Sequence, residues 1–171
     1  SGDTLYSHYI FSDDHGTSWR MAGPAGENTN EWMLVQRRNG VLLANMRGNT
    51  GRKRRAISIS ADNGKTWSGF QFDEALVEPG CQASLIRYDD AQPLMLFSNP
   101  ADTERRKLTV KVSRDEGQSW PIEKLLCGGP SAYSCLAVLP DGQIGILYEC
   151  GVESPYETVT FAKFPREWLL N

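Results

Sequence analysis

Three eight-residue segments of the chain follow one pattern: residues 12–19 read SDDHGTSW, residues 60–67 read SADNGKTW, and residues 113–120 read SRDEGQSW. All three are S-x-D-x-G-x-[S/T]-W, and because they begin at residues 12, 60 and 113, they lie 48 and 53 residues apart. A period of about 50 residues fits one four-stranded unit of sheet for each copy. Three copies are very improbable by chance, so the repeat predicts how the whole chain is organised.

The repeat has the composition of a hairpin turn. At its third position, Asp14, Asp62 and Asp115 would accept hydrogen bonds from turn amides, the fifth-position glycine permits a positive φ, and the final Trp would pack under the turn. We interpret the three aspartates as residues that hold turns and do no chemistry. Each copy follows a run rich in β-branched and aromatic residues that predicts a strand, at residues 6–11, 55–59 and 108–112.

The rest of the chain repeats this arrangement of short strands around polar turns. The loop between two of the strands covers residues 88–93, and only residues 166–170 suggest a helical turn. The predicted fold class is therefore all-β, built of antiparallel hairpins. The further strands are predicted at residues 33–36, 41–46, 83–87, 94–98, 143–149 and 158–164.

Composition and charge exclude several classes of protein. The chain has 18 basic and 21 acidic side chains, a formal net charge of -3, and therefore no basic footprint of a nucleic-acid-binding protein. We interpret its one basic run, residues 52–55, as a solvated loop. No apolar run approaches the roughly 18 to 20 residues that cross a bilayer, so no membrane span is predicted.

The cysteines and histidines do not form a metal-binding pattern. The four cysteines are separated by 46, 8 and 15 positions, which gives neither a C-x-x-C pair nor the spacing of zinc ligands, and the chain has only two histidines. Four cysteines are also too few for a disulfide framework, so buried or free thiols are expected. No metal site and no cofactor are predicted.

The S-x-D-x-G-x-[S/T]-W element resembles the Asp-box, or BNR repeat, of the sialidase (neuraminidase) family of β-propellers. The resemblance implies a β-propeller of sialidase type, whose catalytic domain has six blades of four-stranded antiparallel sheet. At about 50 residues for each blade, the chain would supply three to four blades. Residues 1–171 are therefore expected to be the C-terminal half of such a domain, with the N-terminal blades outside this chain.

Two further segments resemble family motifs that bind the substrate carboxylate. Glu31 and Arg47, spaced as N-E-x15-R, resemble the segment in which a Glu partners the nucleophile and an Arg binds the carboxylate. The stretch FSNP, followed by RRKLTV, resembles one whose Arg is a second carboxylate clamp. Its register favours Arg105 over Arg106, because the clamp precedes the Leu-Thr pair by three positions.

Two more motifs imply a nucleophile and a supporting carboxylate. The segment GPSAYSCL resembles the family's G-x-S-x-Y-S-x-L, which makes Tyr133 the nucleophile. The segment ILYE resembles G-L-L-Y-E, which makes Glu149 the residue that holds a further Arg of the clamp in place. That further Arg, in an R-I-P-type motif, and the family's general-acid Asp have no match in these 171 residues.

The chemistry of sialic acid gives an independent reason for these residue types. Its anomeric carbon bears a carboxylate, so a site for it needs rigid bidentate cations, which Arg supplies better than Lys. The same negative group would repel a carboxylate nucleophile, whereas it does not repel a neutral phenol. A Tyr with a pKa near 10 needs an adjacent base, and Glu31 fits that role beside Tyr133. Tyrosine nucleophiles are the known exception to the two-carboxylate pattern of glycosidases.

The predicted function is that of an exo-α-sialidase, which releases terminal sialic acid by a retaining mechanism. A trans-sialidase would use the same residues, and a non-catalytic Asp-box propeller that binds glycans or proteins is the alternative from another class. The implied partners are sialylated glycans, glycoproteins or glycolipids, and either the missing N-terminal half of the propeller or a second copy of the chain. The resemblance favours a secreted, periplasmic or lysosomal location. The chain alone is expected to be inactive.

Overall fold

The computed structural model describes residues 4–89 and 92–171, and this part of the chain is all-β, as the sequence predicted. The predicted loop 88–93 includes residues 90 and 91, which lie outside the described residues. The elements are β1 (Tyr6–Ser7), β2 (Ile10–Phe11), β3 (Arg20–Met21), β4 (Gly26–Glu27), β5 (Thr29–Gln36), β6 (Leu42–Gly48), β7 (Arg54–Ser60), β8 (Gln71–Val77), β9 (Ser84–Asp89), β10 (Leu94–Pro100), β11 (Arg106–Ser113), β12 (Ile122–Val138), β13 (Ile144–Cys150), β14 (Thr158–Phe164) and α1 (Arg166–Leu170).

Three larger antiparallel sheets follow one another along the chain, after two small two-stranded sheets formed by β1 with β4 and by β2 with β3. Strands β5 to β8 form the first sheet, and β9, β10, β11 and the first half of β12 form the second. The second half of β12 continues into the third sheet, where it pairs with β13, which pairs with β14. The predicted four-stranded unit therefore holds for the first two sheets, whereas the third has three strands within the described chain.

The first predicted strand, residues 6–11, is wrong as a single element. It consists of β1 and β2, two residues each, separated by His8 and Tyr9. The interruption has a physical cause, because the two pieces pair with different partners: β1 pairs with β4, and β2 pairs with β3.

Each S-x-D-x-G-x-[S/T]-W segment forms the turn that follows β2, β7 or β11. In the second copy, Asp62 accepts hydrogen bonds from the Thr66 amide at 2.9 Å, the Thr66 hydroxyl at 2.6 Å and the Ser60 hydroxyl at 2.8 Å. Gly64 has a φ of 84°, in the left-handed region that favours glycine. Asp14 and Asp115 make the equivalent contacts in the other copies. The predicted turn role of the three aspartates is confirmed.

Apolar layers separate the sheets. Between the second and third sheets, the buried side chains include Leu96, Val110, Val112, Leu136 and Ile146. Between the first and second sheets, the Asp-box residue Trp120 packs on Phe97 with ring centroids 5.6 Å apart. Burial of these apolar surfaces is the main favourable term that fixes how the sheets stack.

The first strands of the three sheets, β5, β9 and the second half of β12, lie next to one another. The Ser134 amide donates to Gln82 Oε1 at 3.1 Å, and the Leu136 amide donates to Ser84 Oγ at 3.0 Å. The residue numbers rise together in these two contacts, so β9 and β12 run in the same direction. Their starting ends lie on one edge of the molecule, and the candidate functional residues are found at that edge.

The interpretation of residues 52–55 as a solvated loop holds for Arg52 and Lys53, which are exposed and precede β7, but it is wrong for the other two residues. Arg54 and Arg55 belong to β7, and Arg55 is fully buried. Arg55 Nη1 forms an ion pair with Glu78 Oε2 at 3.1 Å. The correction has a physical reason: a strand directs alternate side chains to opposite faces, so one cation of the run points into the interior.

Candidate active site

Glu31 is presented by an irregularity in the first sheet. In the pairing of β5 with β6, Thr29 lies opposite Gly48 and Trp32 lies opposite Met46, so three steps on β5 face two steps on β6. The extra residue is a β-bulge, which re-aims the side chains beside it. Glu31 lies in this bulge, and Arg47 is the residue of β6 that faces it.

Tyr133 is presented by a second bulge, in the third sheet. In the pairing of β12 with β13, Ser131 lies opposite Cys150 and Ser134 lies opposite Tyr148. Tyr133 lies within the bulge, and its amide donates to Glu149 Oε2 at 3.0 Å instead of to a neighbouring strand. The carboxylate of Glu149 therefore supports the backbone that carries the phenol. The role that the sequence predicted for Glu149, to hold a further Arg of the carboxylate clamp in place, stays a prediction.

The two bulges bring Tyr133 and Glu31 into direct contact. The phenol of Tyr133 donates to Glu31 Oε1 at 2.5 Å. Arg47 Nη1 lies 2.9 Å from Glu31 Oε2 and 3.3 Å from Oε1, so the carboxylate is held between a phenol and a guanidinium. The structure thus brings together a phenol, a carboxylate within hydrogen-bond reach of it and a cation that orients the carboxylate.

The electrostatics keep the Glu31 carboxylate ionised and the Tyr133 phenol neutral. Partial burial acts to raise the pKa of Glu31, but the hydrogen bond from Tyr133 and the contact with Arg47 outweigh it, so this pKa is lowered. The pKa of Tyr133 is raised, first by its hydrogen bond to Glu31 and then by burial and the negative charge of that carboxylate. In the resting state the proton therefore stays on the phenol, next to an acceptor that is ready for it.

Arg105 lies on the other side of the phenol. Its guanidinium carbon is 5.8 Å from the centroid of the Tyr133 ring. Arg105 Nη2 donates to the Gly80 carbonyl at 3.2 Å, and Nη1 donates to the hydroxyl of Tyr156. The neighbouring Arg106 instead forms an ion pair with Asp102 at 3.2 Å. All five residues that the sequence singled out, Tyr133, Glu31, Arg47, Arg105 and Glu149, therefore meet at one edge.

Sequence reasoning missed a buried polar network beneath this edge. Arg55 donates to Asn45 Oδ1 at 2.7 Å and to the Cys81 carbonyl at 2.8 Å, in addition to its ion pair with Glu78. Glu78 Oε1 in turn accepts from the Gly48 amide at 2.9 Å. Asn45 and Gly48 flank Arg47 on β6, so the network fixes the backbone on both sides of that guanidinium. The one sequence signal for this network was the predicted strand at 55–59, because strand alternation places Arg55 on the same face as the apolar Ile57.

A groove of about 320 Å³ opens beside Tyr133. Its walls are mostly apolar, and they come from the segment just before β9, from the second half of β12, and from β13 and β14. The lining residues are Gln82, Tyr133, Ser134, Cys135, Leu147, Tyr148, Glu149 and Val159.

Neither a metal-binding cluster nor a membrane-spanning helix occurs in the described part of the chain. Within residues 4–89 and 92–171, no three His, Cys, Asp or Glu side chains are grouped so that they could hold a metal ion. The four cysteines are free thiols. In that same part of the chain, no helix is long and apolar enough to span a membrane.

The sequence and the fold are similar to those of known proteins. The model of the BNR repeat-like domain family matches residues 2–146. A sialidase of Micromonospora viridifaciens is 35% identical over 168 residues, covering 94% of this chain and 25% of that protein. A sialidase of Bacteroides fragilis is 40% identical over 153 residues, covering 84% of this chain and 28% of that protein.

Solved structures give the same result. A Hadza microbial sialidase matches with a TM-score of 0.80 and 38% identity, covering 94% of this chain and 32% of that chain. The intramolecular trans-sialidase of Ruminococcus gnavus, solved with oseltamivir carboxylate, matches with a TM-score of 0.79 and 26% identity, covering 95% and 38%. The β-propeller fold predicted from the repeat is confirmed. The chain spans between 25% and 38% of the length of these four proteins.

Proposed function

The chain belongs to the BNR-repeat family of sialidase-type β-propellers, and on that premise we propose that it is the C-terminal half of the catalytic domain of an exo-α-sialidase. The observation that carries the proposal is the 2.5 Å hydrogen bond from the Tyr133 phenol to Glu31, with one arginine on each side of the pair. A base within this distance is what a tyrosine needs to act as a nucleophile near neutral pH.

Two guanidinium groups are available for the carboxylate of a terminal sialic acid. The Arg47 side chain is partly exposed beside the Tyr133–Glu31 pair, and its Nη1 contacts Glu31. A guanidinium carries five N–H donors, so donors remain for an anionic ligand at this position. Arg105 contacts no carboxylate among the described residues, so its charge is also free to meet an anion.

The proposed reaction proceeds in two steps with net retention at the anomeric carbon. The Tyr133 oxygen attacks that carbon and its proton passes to Glu31 Oε1, while the bond to the aglycone breaks and the departing oxygen is protonated by a general acid outside these 171 residues. Water then attacks the anomeric carbon of the sialyl-tyrosine and passes a proton to the conjugate base of that general acid. The bond to Tyr133 breaks, and Glu31 returns the proton to the phenol.

Two other functions compete with hydrolysis. A trans-sialidase uses the same residues and differs only in the acceptor that replaces water, so product analysis distinguishes the two. A non-catalytic propeller would bind glycans or proteins without turnover. Such a propeller has no need of Glu31 within hydrogen-bond reach of Tyr133, and this contact therefore favours an enzyme.

We further propose that the 171 residues alone are inactive or nearly so, since they lack a match to the family's R-I-P-type Arg and its acid Asp. The third sheet exposes Leu147, Val159 and Phe161, which supports packing against the missing half of the propeller or a second copy. Robust turnover of an aryl sialoside by the purified 171 residues would contradict the proposal that they are inactive. A monomer in sedimentation at high concentration would contradict the proposal that the exposed sheet packs against another part or copy of the protein.

The test of function is hydrolysis of a fluorogenic aryl α-sialoside by the full-length protein and by its Tyr133→Phe variant. Tyr88→Phe is the matched control, because it also removes a hydroxyl that donates a hydrogen bond, to the Gly142 carbonyl at 2.8 Å. We expect turnover to collapse in Tyr133→Phe and to persist in Tyr88→Phe. A folded full-length protein without turnover would instead favour the binding propeller.

A further inference from the structure

The loop that connects β13 to β14 is held in one shape by a single carboxylate. Glu157 accepts hydrogen bonds from the amides of Val152 at 3.0 Å, Glu153 at 2.8 Å and Ser154 at 2.6 Å. Its pKa is lowered by these same amides. Three donors on one exposed carboxylate close the segment 151–157 into a compact turn.

The chain packs tightly where this loop begins. A Cβ added to Gly151 would lie 2.0 Å from the Ser154 carbonyl oxygen, so only glycine fits there. The backbone geometry is thus specified by Gly151 at one end and by Glu157 at the other. A loop specified in this way can hold a side chain at a defined place.

The side chain that the loop presents is Tyr156. The residue is 61% exposed, so burial of apolar surface does not explain its position. Its hydroxyl accepts a hydrogen bond from Arg105 Nη1, while the Gly80 carbonyl accepts from Nη2 of the same guanidinium. The loop 151–157 therefore reaches across to the arginine beside the Tyr133 ring.

The two arginines of the site are held by different chemistry. Arg47 is oriented by the carboxylate of Glu31, which offsets part of its charge. Arg105 is oriented by two neutral oxygens, one carbonyl and one phenol. Neutral acceptors fix the direction of a guanidinium without cancelling its charge, so Arg105 keeps its full attraction for an anion.

We propose that Tyr156 is a positioning residue for Arg105 and that the loop 151–157 thereby sets the affinity of the site for the substrate carboxylate. This inference rests on the proposed function. Tyr156 does not contact the reacting atoms; it restricts Arg105 to orientations in which its remaining donors face the ligand. Pre-organisation of this kind strengthens binding because less conformational freedom is lost when the ligand binds.

The experiment uses the full-length protein and compares Tyr156→Phe with Tyr88→Phe, which removes a hydroxyl at the other end of β9. Binding is measured for a sialic acid analogue with a free carboxylate and for its neutral methyl ester, alongside kcat and KM for an aryl sialoside. We expect Tyr156→Phe to weaken binding of the carboxylate about tenfold and to leave binding of the ester unchanged. KM should rise more than kcat falls.

A second variant tests the loop itself. Glu157→Ala removes the acceptor of the three amides, and we expect the same selective loss of carboxylate affinity. The inference is overturned if a variant loses equal affinity for the acid and for the ester, or if neither variant changes its affinity. Tyr156 would then have only a structural role. An inactive wild-type protein that binds neither ligand refutes the proposed function instead, so the two failures are distinguishable.

Discussion

The Tyr133 hydroxyl lies 2.5 Å from Glu31 Oε1, although the two residues are 102 positions apart in the sequence. The contact joins β12 to β5, and β9 contacts both of these strands. The pair therefore exists only when three sheets stack at the correct angles. Because the hydrogen bond between Tyr133 and Glu31 is short, the site is sensitive to the polar contacts that hold the ends of these strands in place.

Glu31→Gln should remove the base and keep the shape of the site. We expect kcat to fall by about 10²- to 10⁴-fold, the range for loss of a general base, because an amide cannot take the phenol proton. KM should not rise, since the change also removes a negative charge that faces Arg47. Steady-state kinetics of the full-length protein provide the measurement. A fall in kcat of less than tenfold contradicts the assignment of Glu31 as the base.

Arg47→Gln should change how the residual activity depends on pH. In the proposed mechanism Glu31 must be ionised to act, and its pKa lies below the ordinary 4.5, so we expect the acid limb of kcat/KM in the wild type to lie below that pH. Loss of the guanidinium removes one cause of the lowering, so the pKa of Glu31 rises and the limb moves to higher pH.

The pH profile of Arg105→Gln is the control for this shift. Arg105 lies beside the Tyr133 ring and makes no hydrogen bond to Glu31, so its loss should lower activity without moving the limb. If both variants move the limb equally, the shift has a general electrostatic origin and Arg47 does not tune Glu31 specifically.

Most of the fold was predictable because its signals are local. The Asp-box turns, the strand at 158–164 and the short helical segment at 166–170 each depend on residues that are neighbours in the sequence. The bounds of β14 and α1 agree with the prediction at both ends. Turn residues and strand alternation determine such elements before any long-range contact forms.

The features that build the site were not predictable, because each depends on distant residues. The bulges at Glu31 and Tyr133 are mismatches between paired strands, and a single strand sequence does not reveal them. The burial of Arg55 requires Glu78 on another strand end. The family motifs singled out residues that the structure brings together at one edge, and their roles stay a prediction, whereas the network that holds them in place had no comparable signal.

Glu78→Gln should destabilise the full-length protein strongly. The change leaves Arg55, which is fully buried, without its counter-charge. Removing one partner of a buried ion pair typically costs about 3–5 kcal/mol of unfolding free energy. Urea denaturation measures the loss, and Lys163→Ala, which breaks the solvent-exposed pair with Asp141, should leave the midpoint unchanged. Equal effects of the two variants would show that the Arg55–Glu78 pair has no special role.

Asp62→Asn should make the fold less sensitive to acid. The hydroxyl and amide of Thr66 lower the pKa of Asp62 from 3.8 to about 2, so the unfolded chain binds a proton more readily than the folded chain. The carboxylate therefore stabilises the fold above about pH 4, and that stabilisation is lost as the pH falls towards 2. Melting temperatures of the full-length protein should be lower for Asp62→Asn at pH 7 and should converge with the wild type near pH 2. Lys65→Gln, a charge change in the same turn, should leave the dependence of melting temperature on pH as it is in the wild type. Parallel plots of melting temperature against pH for Asp62→Asn and the wild type would contradict the prediction.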